Sequence, residues 1–588
     1  MGVRLADLPG VGVVRREFAG YSLAALRQDV LAGVTVGAVA LPLALAFGVA
    51  SGADAAAGLV TAILAGVIIG GLGGAAFQIS GPTGAMSAIL IAIALQYGLP
   101  GVWVACVMAG LMLILLGLFR LGRYIQFIPS PVITGFTSGI AIIIAVGQLD
   151  NVLGVKTPAA ENSLAKLWGY LASPPAPDPR ALAAAAIVVA TMLILPRFLK
   201  AVPASLAGIV LASLATAALG WDIALIGAIP RTILLDNRLT PDAIPWGQLD
   251  QLLIPAISIA ALGAIESLLC GSVGATMTGK PFDSNQELIA QGLGNLVIPF
   301  FGGVPATAAI ARTSVAIKSG ARTRMTSLVH ALVLLLSALA LAPLIGRVPL
   351  AALGGVLLVT AWRMNEWESI HFYWHTGLRG AMAGMLVTMV ATAALDLTQA
   401  IIIGLTISAI IYIRQSALST AVSSEPVDAA RLRAQGYAIE VSCPTMRVYY
   451  LTGPIFFGSV HTVLAAFVGA ERYHTWIISM RGVPLVDAMG IKALRELVEE
   501  HHARGGVVCF TGLQPGVRHM AERTGLLQLV GPEHVQWSAV EAILALHERR
   551  ETHGCSYCDS HGAGCEVLRA ARARAHLNPP PADSHGLA

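Results

Sequence analysis

Between residues 29 and 418 the chain is a succession of apolar runs, each roughly 17–25 residues long and parted by short polar breaks. In hydrocarbon such a run must satisfy every backbone N–H and C=O internally, and at this length that means a helix. Charge is scarce to match. Of the 588 residues, 12% are charged and 56% hydrophobic, against roughly 25% charged in an ordinary soluble chain. From about residue 425 charged residues return at ordinary density. The expected fold class is therefore an α-helical polytopic membrane protein followed by a small α/β domain. Residues 1–28 hold Arg4, Arg15, Arg16 and Arg27 but no short apolar core with a cleavage site, so they read as a cytoplasmic N-terminal segment. The formal net charge of +4 is small and spread out, which argues against nucleic acid as a partner. The bilayer is the expected partner.

Fourteen stretches fit as spans: 29–50, 54–74, 83–97, 101–120, 131–149, 181–196 and 204–220, then 251–272, 285–301, 306–318, 325–346, 349–362, 379–395 and 398–414. The third and tenth are too short to cross alone. Basic residues near the ends (Arg27, Arg120, Arg123, Arg197, Lys200, Lys318, Arg322, Arg324, Arg414) fall on one side if the N-terminus is inside. That is the positive-inside pattern, and an even number of spans returns the C-terminal part to the cytoplasm.

The two sets of seven share a spacing. Spans one and eight, Pro82 and Pro305, and spans four and eleven are each offset by about 222 residues. Seven is odd, so the second set enters the membrane inverted. Inverted repeats with Gly/Pro-interrupted helices at matching positions point to a secondary transporter with a midplane site. "QISGPTGAMSAIL" (78–90) and "GGVPATAAIARTSVAI" (302–317) read as extended segments turning helical at about Pro82 and about Pro305. Two helix N-termini would then face each other, each with unpaired N–H donors and partial positive charge, a ready seat for an anion. The bland alternative is a pair of packing kinks.

Glu266, in "AISIAALGAIESLLCGS", lies well inside the eighth span, where a carboxylate costs about 3 kcal/mol. It reads as a titratable group beside the anion, or as a residue bonded to a neighbouring helix. Removal from water disfavours the charged form of any carboxyl, which makes proton-coupled uptake the expectation. Arg312, two turns into the tenth span, is either fixed positive charge in a cavity or an interfacial anchor. Thr83 and Ser87 can offer hydroxyls and Phe47 an apolar wall. Glu287 has capping-box spacing in "SNQE" (284–287) and reads as a helix start.

"DVLAGVTVGAVALPLALAFGVASG" (29–52), "QISGPTGAMSAIL" (78–90), "ALGAIESLL" (261–269) and "GGVPATAAIARTSVAIKSGARTRMTS" (302–327) together resemble the sulfate permease, or SulP, family of anion transporters. The resemblance implies a core domain of spans 1–4 and 8–11 and a gate domain of spans 5–7 and 12–14, moving as an elevator. It implies a substrate site at Phe47, at Thr83, Gly84 and Ala85, and at Ala308, Ala309 and Ile310, largely through backbone N–H groups. Arg312 matches the basic position of the tenth span and Glu266 the acidic, proton-coupling position of the eighth. Leu43 stands where many members carry a polar residue, and the surroundings of Glu266 (Cys270, Ile310) suit a proton better than sodium, which prefers oxygen ligands. Sulfate, bicarbonate or a dicarboxylate are the expected substrates, moved by symport or exchange in a homodimer of the inner membrane, without catalysis or cofactor. The rivals are a nucleobase permease of the same fold and an anion sensor or motor that moves nothing across.

Further along, "YAIEVSCPTMRVYY" (437–450), "TWIISM" (475–480) and "VVCFTGL" (507–513) have strand character, and "GIKALRELVEEHHARGG" (490–506) is an amphipathic helix ending at glycine. "VPLVDAMGIKAL" (483–494) resembles the signature loop of a STAS domain. There Ala488 follows Asp487, so the phosphorylatable serine of related soluble proteins is missing. The expected division is 29–418 for the membrane domain, 425–550 for the STAS domain and 551–588 for a tail. In that tail Cys555, Cys558, Cys565 and His561 offer a loose metal-ligand pattern, otherwise a disordered end.

Overall fold

The computed structural model describes residues 17–18, 21–123, 129–157, 163–199, 202–227, 229–395, 397–437, 439 and 443–553. The chain divides into two compact units with the boundary between Ser408 and Ala409.

The first unit is built of helices α1 (Leu23–Ala50), α2 (Ala55–Leu72), α3 (Gly84–Leu118), α4 (Ser130–Gly147), α5 (Leu149–Leu153), α6 (Ser163–Ala172), α7 (Pro179–Phe198), α8 (Ala204–Ala218), α9 (Leu253–Thr278), α10 (Ser284–Val297), α11 (Ile310–Lys318), α12 (Met325–Ile345), α13 (Leu350–Met364), α14 (Trp367–His375), α15 (Arg379–Ala394) and α16 (Leu397–Leu418), the last crossing the unit boundary. Two short strands, β1 (Ser80–Gly81) and β2 (Thr307–Ala308), interrupt them. Local chemistry starts several helices. Ser22, Asp54 and Asp283 each accept a first-turn N–H as N-caps of α1, α2 and α10. Each of the fourteen sequence stretches coincides with one of these helices, the third and fourth being the two legs of α3. Those legs part at Gly98, whose φ of 68° suits a residue without Cβ, just ahead of Pro100.

Among the described residues, seven helices are long and apolar enough to cross a membrane by themselves. Helix α11 is not one of them. Its nine residues rise about 14 Å, less than half of a hydrocarbon core about 30 Å thick. At that length α11 cannot cross the hydrocarbon core alone.

The inverted repeat shows in reciprocal packing. Helix α1 lies on α12 as α9 lies on α3, α2 on α12 as α10 on α3, and α4 on α15 as α13 on α7. Small residues let these backbones approach. A Cβ on Gly110 of α3 would sit 2.8 Å from the Gly292 carbonyl of α10, and one on Gly135 of α4 would sit 2.3 Å from the Met385 carbonyl of α15.

The second unit carries a five-stranded sheet ordered β3-β4-β5-β6-β7: β3 (Ala421–Pro426), β4 (Met446–Thr452), β5 (Thr475–Gly482), β6 (Val507–Thr511) and β7 (Val535–Gln536). Strand β3 is antiparallel to β4, and the remaining neighbours are parallel. Helices α17 (Ala429–Ala434), α18 (Val460–Ala465), α19 (Ala488–Ala503), α20 (Pro515–Arg523), α21 (Leu526–Val530) and α22 (Ala539–His553) complete it. Side chains alternate between two buried faces, as a covered sheet requires. Tyr449, Trp476, Ile478 and Phe510 pack with Leu494 and Val498 of α19, while Val448, Ile477 and Cys509 pack with Ile543 and Leu546 of α22. The strands near 475 and 507 and the helix α19 fall where the sequence pattern places them; β4 begins at Met446, later than that pattern suggests, and β3 has residues that look like a linker when read alone.

Candidate functional site

Two interrupted segments, more than two hundred residues apart in sequence, meet side by side. Strands β1 and β2 pair antiparallel, with Ser80 opposite Ala308 and Gly81 opposite Thr307, and Ala309 N donates to Ile79 O at 2.9 Å. Helix α3 leaves β1 with Thr83 as N-cap, its hydroxyl 3.4 Å from Met86 N, close to the start expected at Pro82. Helix α11 leaves β2 later than expected, at Ile310 rather than about Pro305. The reason lies outside the segment. Val304 N donates to Thr61 Oγ1 at 2.7 Å, Ala306 N to Asn295 Oδ1 at 2.8 Å, and β1 takes up Thr307 and Ala308, so the backbone stays extended to Ala309.

Glu266 of α9 ties the crossing together. Its Oε2 accepts from Thr307 Oγ1 at 2.5 Å and from Thr83 Oγ1 at 2.8 Å, and the two hydroxyls lie 3.1 Å apart. One carboxylate thus bonds to a residue of each half. Arg312 is no interfacial anchor: it is 1% exposed, and its Nη2 donates to Pro82 O at 2.7 Å. Its Nη1 is buried without a hydrogen-bond partner, and a Cβ on Gly81 would come within 2.7 Å of it. Glycine at 81 therefore makes room for the guanidinium.

The structure brings together most of the residues named from sequence. Thr83, Gly84, Ala85, Ala308, Glu266 and Arg312 surround the crossing, and Phe47 reaches it from α1: a Cβ on Gly84 would lie 3.1 Å from the Phe47 ring. The first-turn N–H groups of α3 and α11, beginning at Gly84 and Ile310, have no acceptor within their helices. Two expectations change. Ala308 N donates to Ser267 Oγ at 3.3 Å and Ala309 N to Ile79 O, so the amides open to a ligand on this side begin at Ile310, which is 41% exposed. The Ser87 hydroxyl is engaged by Phe47 O at 3.1 Å, Thr83 O at 2.9 Å and Ser51 Oγ at 2.9 Å, and holds α1 to α3.

Other residues were not foreseen. Ile144 of α4 and Met364 of α13 close over Gly84, where a Cβ would lie 2.4 Å from Ile144 Cδ1 and 3.3 Å from Met364 Sδ. Glu287 does not form a capping box. Asp283 caps α10, and Glu287 is drawn into the core, 1% exposed, accepting from Gly74 N at 2.9 Å and Gln78 Nε2 at 3.0 Å. In the second unit Asp487 caps α19, accepting from Gly490 N at 2.7 Å, and Ala488 opens that helix. Cys555, Cys558, Cys565 and His561 lie outside the described residues.

Comparison with known proteins agrees with this picture. Residues 26–391 match the model of the sulfate permease family, and residues 439–542 match that of the STAS domain. YvdB of Bacillus subtilis, named as a candidate sulfate transporter, is 33% identical over 88% of this chain and 97% of its own. The bicarbonate transporter BicA of Picosynechococcus is 30% identical over 88% of this chain and 94% of its own. Among solved structures, the transmembrane domain of a cyanobacterial bicarbonate transporter BicA superposes with a TM-score of 0.59 at 31% identity, covering 66% of this chain and 98% of that one. The fold of SLC26A9 matches with a TM-score of 0.79 at 19% identity, covering 92% and 94%. The chain is a multi-pass membrane protein that belongs to the sulfate permease family and carries a STAS domain.

Proposed function

We propose that this protein is a secondary transporter, not an enzyme, that moves a small oxyanion such as sulfate or bicarbonate, or a dicarboxylate, across the inner membrane. The anion is held between the first-turn amides of α3 (Gly84, Ala85) and those of α11 from Ile310 onward, with Phe47 as apolar wall and Arg312 as fixed positive charge behind it. One observation carries the reading: two helix N-termini are brought to one place by antiparallel strand pairing, and Glu266 bonds to both sides of that crossing. Opposed N-termini offer positive potential and free donors at the ion itself, and the Arg312 charge adds to that potential.

Glu266 supplies the coupling. Ionised, it repels an incoming anion; protonated, it tolerates one, so an inward proton gradient drives uptake. Helices α1–α3 and α9–α12 form the core that carries the site past a gate of α4, α7, α8, α13, α15 and α16, in the manner of an elevator. Ile144 and Met364 are the gate side chains that cover the site in this state. The membrane domain spans 29–418 and the STAS domain 425–550 on the cytoplasmic side, in a homodimer. The names of the bicarbonate and sulfate relatives support this choice of substrates.

Uptake of radiolabelled sulfate, bicarbonate, fumarate and uracil into proteoliposomes, with and without an inward pH gradient, tests the proposal. Uptake of at least one anion, stimulated by the gradient in the wild type and not in Glu266→Gln, is expected. Uptake of uracil alone overturns the anion reading, and unaltered gradient-driven uptake in Glu266→Gln overturns the coupling.

A further inference from the structure

Helix α10 presents a polar ladder to the core. Glu287, Gln291 and Asn295 follow one another at intervals of one helical turn and are all buried. Glu287 Oε2 accepts from Gly74 N at 2.9 Å, and its Oε1 accepts from Gln78 Nε2 at 3.0 Å and Gln291 Nε2 at 2.9 Å. Gln291 Nε2 also donates to Ser80 Oγ at 3.0 Å. Asn295 treats Ala306 as a neighbouring strand would: its Oδ1 accepts from Ala306 N at 2.8 Å and its Nδ2 donates to Ala306 O at 2.9 Å. A second donation, from Nδ2 to Gln291 O at 2.9 Å, fixes the Asn295 amide itself. One face of one helix therefore grips both approaches to the crossing, 74–80 before α3 and 302–308 before α11.

The crossing needs such a grip. Strands β1 and β2 share two residue pairs, too few to define a register on their own, and a slip of one residue turns every side chain to the opposite face. It would also shift one helix N-terminus by about 3.3 Å relative to the other, enough to separate donors that must converge on one small ion. We propose that Glu287, Gln291 and Asn295 are positioning residues that lock the register of the crossing and so set the distance between the two N-termini. The inference rests on the reading of those N-termini as the anion site.

The variants Asn295→Ala, Glu287→Ala and Glu287→Gln test it in the full-length protein, with radiolabelled sulfate and bicarbonate as probes in proteoliposomes. Both alanine variants should raise the apparent KM about tenfold, the equivalent of one or two lost buried hydrogen bonds, while the maximal rate stays within about twofold. Glu287→Gln should recover KM to within about threefold. The amide oxygens of Gln78 and Gln291 are buried without partners, so those amides can turn to receive the new NH2 group. Unchanged KM in folded Asn295→Ala overturns the proposal. So does a Glu287→Gln variant as impaired as Glu287→Ala, since the charge and not the anchoring would then matter. If Asn295→Ala does not fold, the two Glu287 variants decide. Hydrogen exchange of the segment 302–309 gives a reading that needs no substrate: it should quicken in Asn295→Ala, and unchanged exchange overturns the lock. A wild type that carries neither anion removes the anion reading while leaving the exchange result to judge the ladder.

Discussion

Replacing Arg312 by Gln removes a charge whose effect on the anion can be sized. The guanidinium bonds to Pro82 O at 2.7 Å, two residues before Gly84. At 3.8 Å per residue that puts it about 8 Å from an ion on the Gly84 amide. Two unit charges at about 8 Å in a medium of effective dielectric about 20 interact by about 2 kcal/mol. Loss of that attraction weakens a monovalent anion about 30-fold and a divalent one by the square of that factor, about 1,000-fold. Arg312→Gln should therefore depress apparent affinity far more for sulfate than for bicarbonate, if both are carried, and Arg312→Lys should restore most of the loss. Initial uptake rates against anion concentration in proteoliposomes give the affinities, and monodispersity in detergent controls for folding. Equal losses for the two anions, or a Lys variant no better than Gln, would mean that the residue acts through packing and not through its charge.

Further outcomes follow from the same geometry. Gly135→Val should destabilise the membrane unit by about 3 kcal/mol through overpacking, since even a Cβ there meets the Met385 carbonyl at 2.3 Å; a thermal midpoint in detergent equal to the wild type would contradict this. In the STAS unit, burial holds the His501 imidazole down to about 4, below its ordinary value of 6.5, with the ring stacked 3.5 Å from Trp476. The unfolded chain therefore binds the extra proton first. The stability contributed by the neutral ring is complete above about pH 6.5 and is lost as pH falls toward about 4, a slope that His501→Phe should flatten. Asp487→Ala removes the acceptor for Gly490 N and Phe457 N and should cost about 1–2 kcal/mol, read as a lower denaturation midpoint of the STAS unit; an unchanged midpoint would mean that water replaces the cap.

Much of this was legible in the sequence because the membrane makes errors of polarity expensive. Glu266 stood out as a charge inside an apolar run, and the breaks at Pro82 and Pro305 stood out because the repeat placed them in register. What local pattern could not supply was the identity of long-range partners. Thr307 is an ordinary threonine until β1 brings Thr83 beside it. The late start of α11 depends on Asn295 and Thr61, which no propensity at 305–309 reveals. Glu287 has the spacing of a local cap, yet the approach of the Gly73–Gly74 turn draws it inward: a Cβ on Gly73 would lie 2.9 Å from its carboxylate. Arg312 could not be assigned because helical position alone does not say which side faces the core.

The anion site itself is most directly tested by anomalous diffraction from crystals soaked in selenate, a sulfate analogue with a heavy scatterer at its centre. One selenium peak is expected between α3 and α11, its oxygens about 3 Å from the amide nitrogens of Gly84, Ala85 and Ile310, and it should be lost in Arg312→Gln. A saturating selenate peak elsewhere in the membrane unit, with the crossing empty, would contradict an anion site there.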